Sequence, residues 1–289
     1  MDLSRHLYGI GLPGPRLEGP VETMGFKAFN LARMAAIGLP VPQAFVLGTP
    51  FCQAFGDDPA AFRPALRKLL ESQIERLEAA CGLEFGSGRK PLLVSVRSGA
   101  PVSMPGMMDT ILDVGLTDAT LRGLLRMTGN PRLVWDSYRR LIQQYAEVVH
   151  HSPPAPFREA LDLAMDQAGA RRPQELDFRA LTRLARRYLE IFEAESGSPF
   201  PQDPLTQLQR ATEAVFDSWM SPRAIEYRRM RRIDAKMGTA VTVQRMVFGN
   251  AGGTSGAGVG FSRDPASGEN RLYLDFRFNS QGEDVVSGQ

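Results

Sequence analysis

A lysine opening one amphipathic segment, an arginine closing an apolar one and a run rich in glycine are the residues best suited to handling a polyanion. The run is Gly249-Asn250-Ala251-Gly252-Gly253-Thr254-Ser255-Gly256-Ala257-Gly258, set between two apolar stretches. Backbone with so few side chains can approach a ligand closely and aim successive N–H groups at phosphate oxygens. The same composition also makes an ordinary flexible hairpin, and no Gly-Lys-Ser/Thr closes the run as a Walker-type loop requires. Lys27 falls in the first turn of its segment, where an ammonium and helix-terminal N–H groups can hold an anion together, although a solvated surface lysine is the commoner case. Arg97 follows the apolar residues 92–96, and an arginine carried toward a protein interior needs a carboxylate or a phosphate. A structural ion pair and a phosphate clamp would satisfy it equally.

Other polar groups carry less. His150 and His151 close a helical stretch, where a cationic imidazole suits the helix dipole, and no neighbouring carboxylate or cysteine marks them as metal ligands. The run 223–236 (RAIEYRRMRRIDAK) is the one basic cluster, but its interleaved Glu226, Asp234, Ile225 and Met230 fit a solvated helix with one buried face. No Ser/His/Asp or Cys/His grouping can be assembled. A formal net charge of +2 is too small a surplus to make nucleic acid or an anionic membrane the main partner. The two cysteines, Cys52 and Cys81, lie far apart outside any CxxC spacing and read as buried thiols in a reducing compartment. No apolar run is long enough to span a bilayer, and the opening residues MDLSRHLYGIGLPGP lack the apolar centre of a signal peptide. A cytoplasmic protein is expected, with neither a membrane nor a nucleic-acid partner.

The elements that must position these residues follow from periodicity. With 289 residues, 43% hydrophobic and 23% charged, the chain can bury more than one core. Residues 1–20, rich in Gly and Pro, predict an extended arm or an edge hairpin. Helical spacing over 25–38 and 59–81 brackets a short strand within 39–47. Residues 92–96 form a compact strand ending on Arg97, and 97–110 is a loop holding two prolines and three methionines. From 118 to 197 nearly every apolar residue falls at helical spacing, in segments around 135–149, 157–168 and 178–194. One more helix is predicted from 204 to about 232, followed by strands at 240–248, 258–262 and 271–278.

Taken together these segments resemble pyruvate, phosphate dikinases. Residues 94–100 (VSVRSGA) and 102–110 (VSMPGMMDT) follow that family's signature, as do 136–143 (DSYRRLIQ) in the helical stretch. Gln244, residues 246–250, Thr254-Ser255-Gly256, Gly258-Val259, Arg263 and 281–286 (QGEDVV) also fit its pattern, in linear order along essentially the whole chain. The resemblance implies an α+β fold of the ATP-grasp type, with nucleotide held between two lobes. It divides the chain into a first lobe at 1–117, an inserted helical subdomain at 118–202, return helices at 203–238 and the start of a second lobe at 239–289. It also implies ATP and Mg²⁺ as ligands, with Lys27 and Arg97 on the phosphates. Gly252, Gly253, Thr254, Ser255, Gly256, Ala257 and Gly258 would form a flap over the triphosphate, lined further by Gln244 and Glu283, with Asp275 and Glu283 as candidate metal carboxylates.

Departures from the family pattern shape the expectations. The family's GGKGANL stands here as Gly25-Phe26-Lys27-Ala28-Phe29-Asn30-Leu31, so Phe26 and Ala28 are expected to crowd a phosphate at Lys27, and Asp275 replaces a longer glutamate. The family continues past the position of Gln289 with the rest of the second lobe, its acidic pair for magnesium, a phosphohistidine domain and a pyruvate-binding barrel. The expectation is therefore an ATP-binding part with an incomplete C-terminal lobe, inactive alone, and served by a separate phosphohistidine- and pyruvate-binding chain. An unpaired edge near 271–278 leads us to expect a homo-oligomer. The alternatives are a non-catalytic nucleotide-binding regulator and a degenerate relative that binds no nucleotide.

Overall fold

The computed structural model describes residues 3–13, 19–282 and 285. Its centre is a five-stranded antiparallel sheet of β1 (Leu7–Ile10), β2 (Ala44–Leu47), β5 (Val94–Gly99), β6 (Thr110–Val114) and β7 (Ala240–Arg245), in the order β1-β2-β7-β5-β6. The expected N-terminal arm is thus an edge strand, with Leu7 opposite Leu47. A short parallel pair, β3 (Glu84–Phe85) and β4 (Pro91–Leu92), and an antiparallel hairpin, β8 (Gly256–Phe261) and β9 (Tyr273–Phe278), form two smaller sheets.

Ten α-helices surround these strands among the described residues: α1 (Val21–Met24), α2 (Phe26–Ala36), α3 (Thr49–Asp57), α4 (Pro59–Cys81), α5 (Asp118–Thr128), α6 (Pro131–Val149), α7 (Ala155–Ala168), α8 (Phe178–Ser196), α9 (Pro204–Ser218) and α10 (Pro222–Arg231). Four begin at a polar residue followed by proline, a pairing that caps the first amides and pre-sets the first helical φ. Asp58 accepts from the Ala61 amide, Asn130 from Arg132 and Leu133, Asp203 from Leu205 and Thr206, and Ser221 from Ala224. The Ser221–Pro222 start is why one expected helix over 204–232 is two, with Trp219 at the break.

Strand alternation sorts the sheet's side chains onto two faces. Phe45, Leu47, Val94, Val96, Val241 and Val243 enter the main core with α3, α4 and α9, and Ala44, Val46 and Ala240 join a smaller cluster under α1 and α2. Helix α6 packs on β6 and on α8, so the apolar residues of α6 and α8 share the main core with the sheet.

Four expectations about packing change. The buried face of α2 is Ala28 with the half-buried Phe29, Leu31, Ala32 and Ala35, whereas Phe26 is 51% and Ile37 77% exposed. In α10 the buried side chains are Ala224 and Arg228, and Ile225 and Met230 are exposed. Arg228 stacks over the Trp219 ring at 4.1 Å and donates to the Trp219 carbonyl, which compensates its burial. His150 packs edge-on to Phe192, and burial followed by the charges of Arg210 and His151 lowers its pKa, the opposite of a helix-capping cation. Cys52 is buried but Cys81 only half-buried. No helix among the described residues is long and apolar enough to cross a membrane.

Candidate functional site

The face of the sheet under α1 and α2 carries the polar residues. On β5 and β7 the register pairs Ser95 with Gln244, Arg97 with Thr242 and Gly99 with Ala240, so these six side-chain positions point the same way. Arg97 does not end its strand, because β5 runs on to Gly99 beside β7. Its side chain is exposed rather than interior. No hydrogen-bond acceptor or carboxylate is paired with it among the described residues, which leaves the structural ion pair without a partner.

Lys27 reaches this face through a close backbone contact. Gly25, with φ +79°, caps α2, and a β-carbon there would lie 1.8 Å from the Gly99 carbonyl oxygen. The next amide, of Phe26, donates to the Ala100 carbonyl at 3.0 Å. These contacts fix the first turn of α2 against the end of β5. Lys27 keeps part of its surface in solvent, yet its pKa is lowered, first by burial of the ammonium and then by the charge of Arg97. Two cations held close together with no carboxylate between them favour an anion at this point.

Beside Lys27 lies a cavity of about 230 Å³ lined by Phe26, Lys27, Ser98, Val102, Met104 and Met108, among others of the 98–108 segment, and Arg97 is not part of its wall. Phe26 forms part of its wall, but Ala28 is fully buried in the small core and does not face it. Thr242, missed in the sequence, adds a hydroxyl: it is 3% exposed, sits opposite Arg97, and its Oγ1 has no hydrogen-bond partner. Its one sequence signal is position, two residues before Gln244 on a strand of period two.

Thr242 and the remaining candidates do not line that cavity. Gln244 is buried, and its Nε2 donates to the Pro42 carbonyl at 3.0 Å. The glycine-rich run splits in two. Gly256, Ala257 and Gly258 belong to β8, where a β-carbon at Gly256 would meet the Phe276 ring at 2.2 Å and one at Gly258 the Asp275 carbonyl at 2.6 Å. Their lack of side chains serves strand pairing. Gly252, Gly253, Thr254 and Ser255 form the turn before it, closed by Ser255 N–H to the Gly252 carbonyl at 3.0 Å, with open space around both glycines. Only this tip has room for a ligand to approach. Asp275 stands on the exposed strand β9 opposite Val259, and Glu283 lies outside the described residues. Among the described residues no group of three or more His, Cys, Asp or Glu side chains could hold a metal ion.

Comparison with known proteins identifies the family. Residues 59–289 match the family model described as the pyruvate phosphate dikinase, AMP/ATP-binding domain. The chain is similar to pyruvate, phosphate dikinase of Clostridium symbiosum, 46% identical over 266 residues that cover 92% of this chain and 30% of that one. The Rhizobium meliloti (strain 1021) enzyme of the same name is 45% identical over 286 residues, 98% of this chain and 31% of the relative. Pyruvate, phosphate dikinase 2 of Zea mays is 45% identical over 267 residues, 92% and 30% respectively. The chain therefore spans about three-tenths of the length of these curated relatives. With a family model matched over most of its length and relatives about 45% identical along nearly all of it, the chain belongs to the pyruvate phosphate dikinase AMP/ATP-binding domain family.

Proposed function

We propose that this chain binds ATP in an ATP-grasp arrangement, with Lys27 and Arg97 as phosphate ligands and the Thr242 hydroxyl as a neutral donor beside them. The observation that carries the reading is the seating of the Lys27 turn on the end of β5 through the Gly25–Gly99 contact, where its ammonium feels the charge of Arg97 on a sheet face that also holds an unsatisfied buried hydroxyl. A guanidinium supplies two parallel donors to phosphate oxygens and an ammonium a compact charge, and both gain strength where water is partly excluded. In this reading 1–117, 203–238 and the strand β7 that completes their sheet make one lobe, 118–202 an inserted helical subdomain, and the chain from 246 onward the start of the other lobe. The turn 252–255 would close over the triphosphate with its Gly252, Gly253 and Thr254 amides, and Gln244 and Glu283 would line the nucleotide further.

The names of the relatives extend the proposal to phosphoryl transfer. The full reaction would convert ATP, phosphate and pyruvate to AMP, diphosphate and phosphoenolpyruvate through a phosphohistidine, with acceptor histidine and pyruvate site supplied outside residues 1–289. The role of this chain would be to hold and orient the nucleotide, and we expect no turnover from it alone. Magnesium normally accompanies such chemistry by bridging phosphate oxygens. Of its two candidate ligands Asp275 is a single exposed carboxylate and Glu283 is undescribed, so the described residues do not fit a metal site and no step here is routed through one.

Calorimetric titration with ATP tests the proposal. Saturable binding that is lost in Lys27→Ala supports it, as does slower hydrogen exchange at 252–255 in the complex. No heat and no thermal shift at millimolar ATP would favour instead a degenerate relative that binds no nucleotide.

A further inference from the structure

Helices α7 and α8 carry none of the candidate anion ligands, and a cavity of about 370 Å³ opens between them. Its apolar lining is Ala160 and Ala164 of α7 with Ala180, Leu184 and Ile191 of α8. Alanines facing one another across two helices leave a hole where larger side chains would interdigitate. Leu163 stands on the α7 wall of that hole and is 58% exposed, and the one α7 side chain buried among the described residues is Phe157. The two walls carry opposite charge. Glu159, Asp162 and Asp166, spaced i, i+3 and i+7, form an exposed acidic row on α7, and Glu159 lines the cavity. Arg179, Arg183 and Arg186, spaced i, i+4 and i+7, form an exposed basic row on α8, where Arg183 and Arg187 line the cavity. No ion pair joins the two rows among the described residues, and Arg187 pairs along its own helix with Glu190.

We propose that this face is an interface between two copies of the chain, related by a twofold axis that runs along the cavity between α7 and α8. A twofold interface meets itself, so one patch must hold both members of every contact it makes. This patch does, with an acidic wall, an apolar floor and a basic wall. Rotation about that axis lays the α7 acids of each copy over the α8 arginines of the other, and Leu163 of each copy closes over the apolar cavity of the other. The four helices then stack as a bundle. An axis running across the helices would set acid against acid and arginine against arginine, which costs affinity, so the charges also fix the orientation. The interface does not depend on the nucleotide reading.

The test is the mass of the full chain in solution, read by sedimentation equilibrium over a range of protein and salt concentrations. The wild type should be dimeric by about 100 µM and should dissociate more readily as salt rises. Leu163→Asp should raise the dissociation constant roughly tenfold or more. Charge reversal supplies the decisive arm. Arg183→Glu with Arg187→Glu makes both walls acidic, and Glu159→Lys with Asp166→Lys makes both walls basic, so each double variant should be monomeric alone. An equimolar mixture of the two should associate again, with one copy of each in the dimer, a recovery that only opposed walls would give. All of these positions are exposed, and circular dichroism like that of the wild type confirms that each variant is folded. A wild type that stays monomeric would leave the face to a different partner and overturns the proposal. So does a dimer that persists in Leu163→Asp and in both charge variants, because it must use another surface, and so does a mixture of folded variants that fails to associate.

Discussion

The Gly99 carbonyl oxygen occupies the space that a β-carbon on Gly25 would need, 1.8 Å from it, and this contact seats the first turn of α2 on the end of β5. Two requirements meet at Gly25, a positive φ of +79° and an absent side chain. Gly25→Ala should therefore cost about 2–4 kcal/mol, the sum of a left-handed backbone and a forced overlap. Urea unfolding measures it, and an unchanged midpoint would show that α2 lifts from the sheet freely.

Arg97→Ala should weaken ATP by about 1.5–3 kcal/mol, or roughly 10- to 150-fold, and leave adenosine nearly untouched. Arg97→Lys should recover only part of the loss, because an ammonium keeps the charge without the two-donor fork. Equal losses for ATP and adenosine would move Arg97 out of the phosphate site.

Lys27 predicts two pH effects. Its folded pKa lies below the ordinary lysine value of 10.5. Between those two values the unfolded chain binds more protons than the folded one, so stability contributed here is present above 10.5 and lost as pH falls through the folded value. Lys27→Met should abolish that part of the pH dependence of urea unfolding. An anion bound at the site stabilises the ammonium, so ATP binding in the same window should take up a proton. Calorimetry in two buffers of different ionisation enthalpy reads that uptake, and equal heats would contradict it.

Burial pushes the Cys52 thiol up to about 11. At pH 8 a disulfide reagent should modify the half-buried Cys81 first and Cys52 only on the timescale of opening, since the thiolate is the reactive form. Denaturant should make the two equivalent. Fast modification of both in the native protein would mean that α3 and the α9–α10 corner separate readily.

Sequence periodicity located most of the elements around the site and one helix, α4 (Pro59–Cys81), end to end. It placed Lys27 in the first turn of α2 because Gly25 and the apolar spacing after it mark a helix start. It stopped β5 two residues early, because Ser98 and Gly99 carry no strand preference of their own and are held by Val241 and Ala240 across the ladder. The glycines at 256 and 258 looked like phosphate-binding backbone because a strand neighbour as bulky as Phe276 leaves no trace in the local sequence. Ser221–Pro222, by contrast, was a readable helix start within the stretch predicted as a single helix. Thr242 was invisible because its meaning depends on Arg97, more than 100 positions away.

The strand order β1-β2-β7-β5-β6 has a consequence for how the molecule is made. The third strand of the sheet in space, β7 (Ala240–Arg245), is the last of the five to leave the ribosome. About 140 residues separate the end of β5 from the start of β7, or roughly 7–30 s of synthesis at ordinary elongation rates. Throughout that interval β2 and β5 have no strand between them, and each carries an open ladder edge, apolar along the whole of β2. A nascent chain in that state is a substrate for chaperones and for strand exchange between neighbouring polysomes. The anion site inherits the same delay, since Arg97 and Lys27 emerge early but Thr242 completes their sheet face only when β7 slots between its older neighbours.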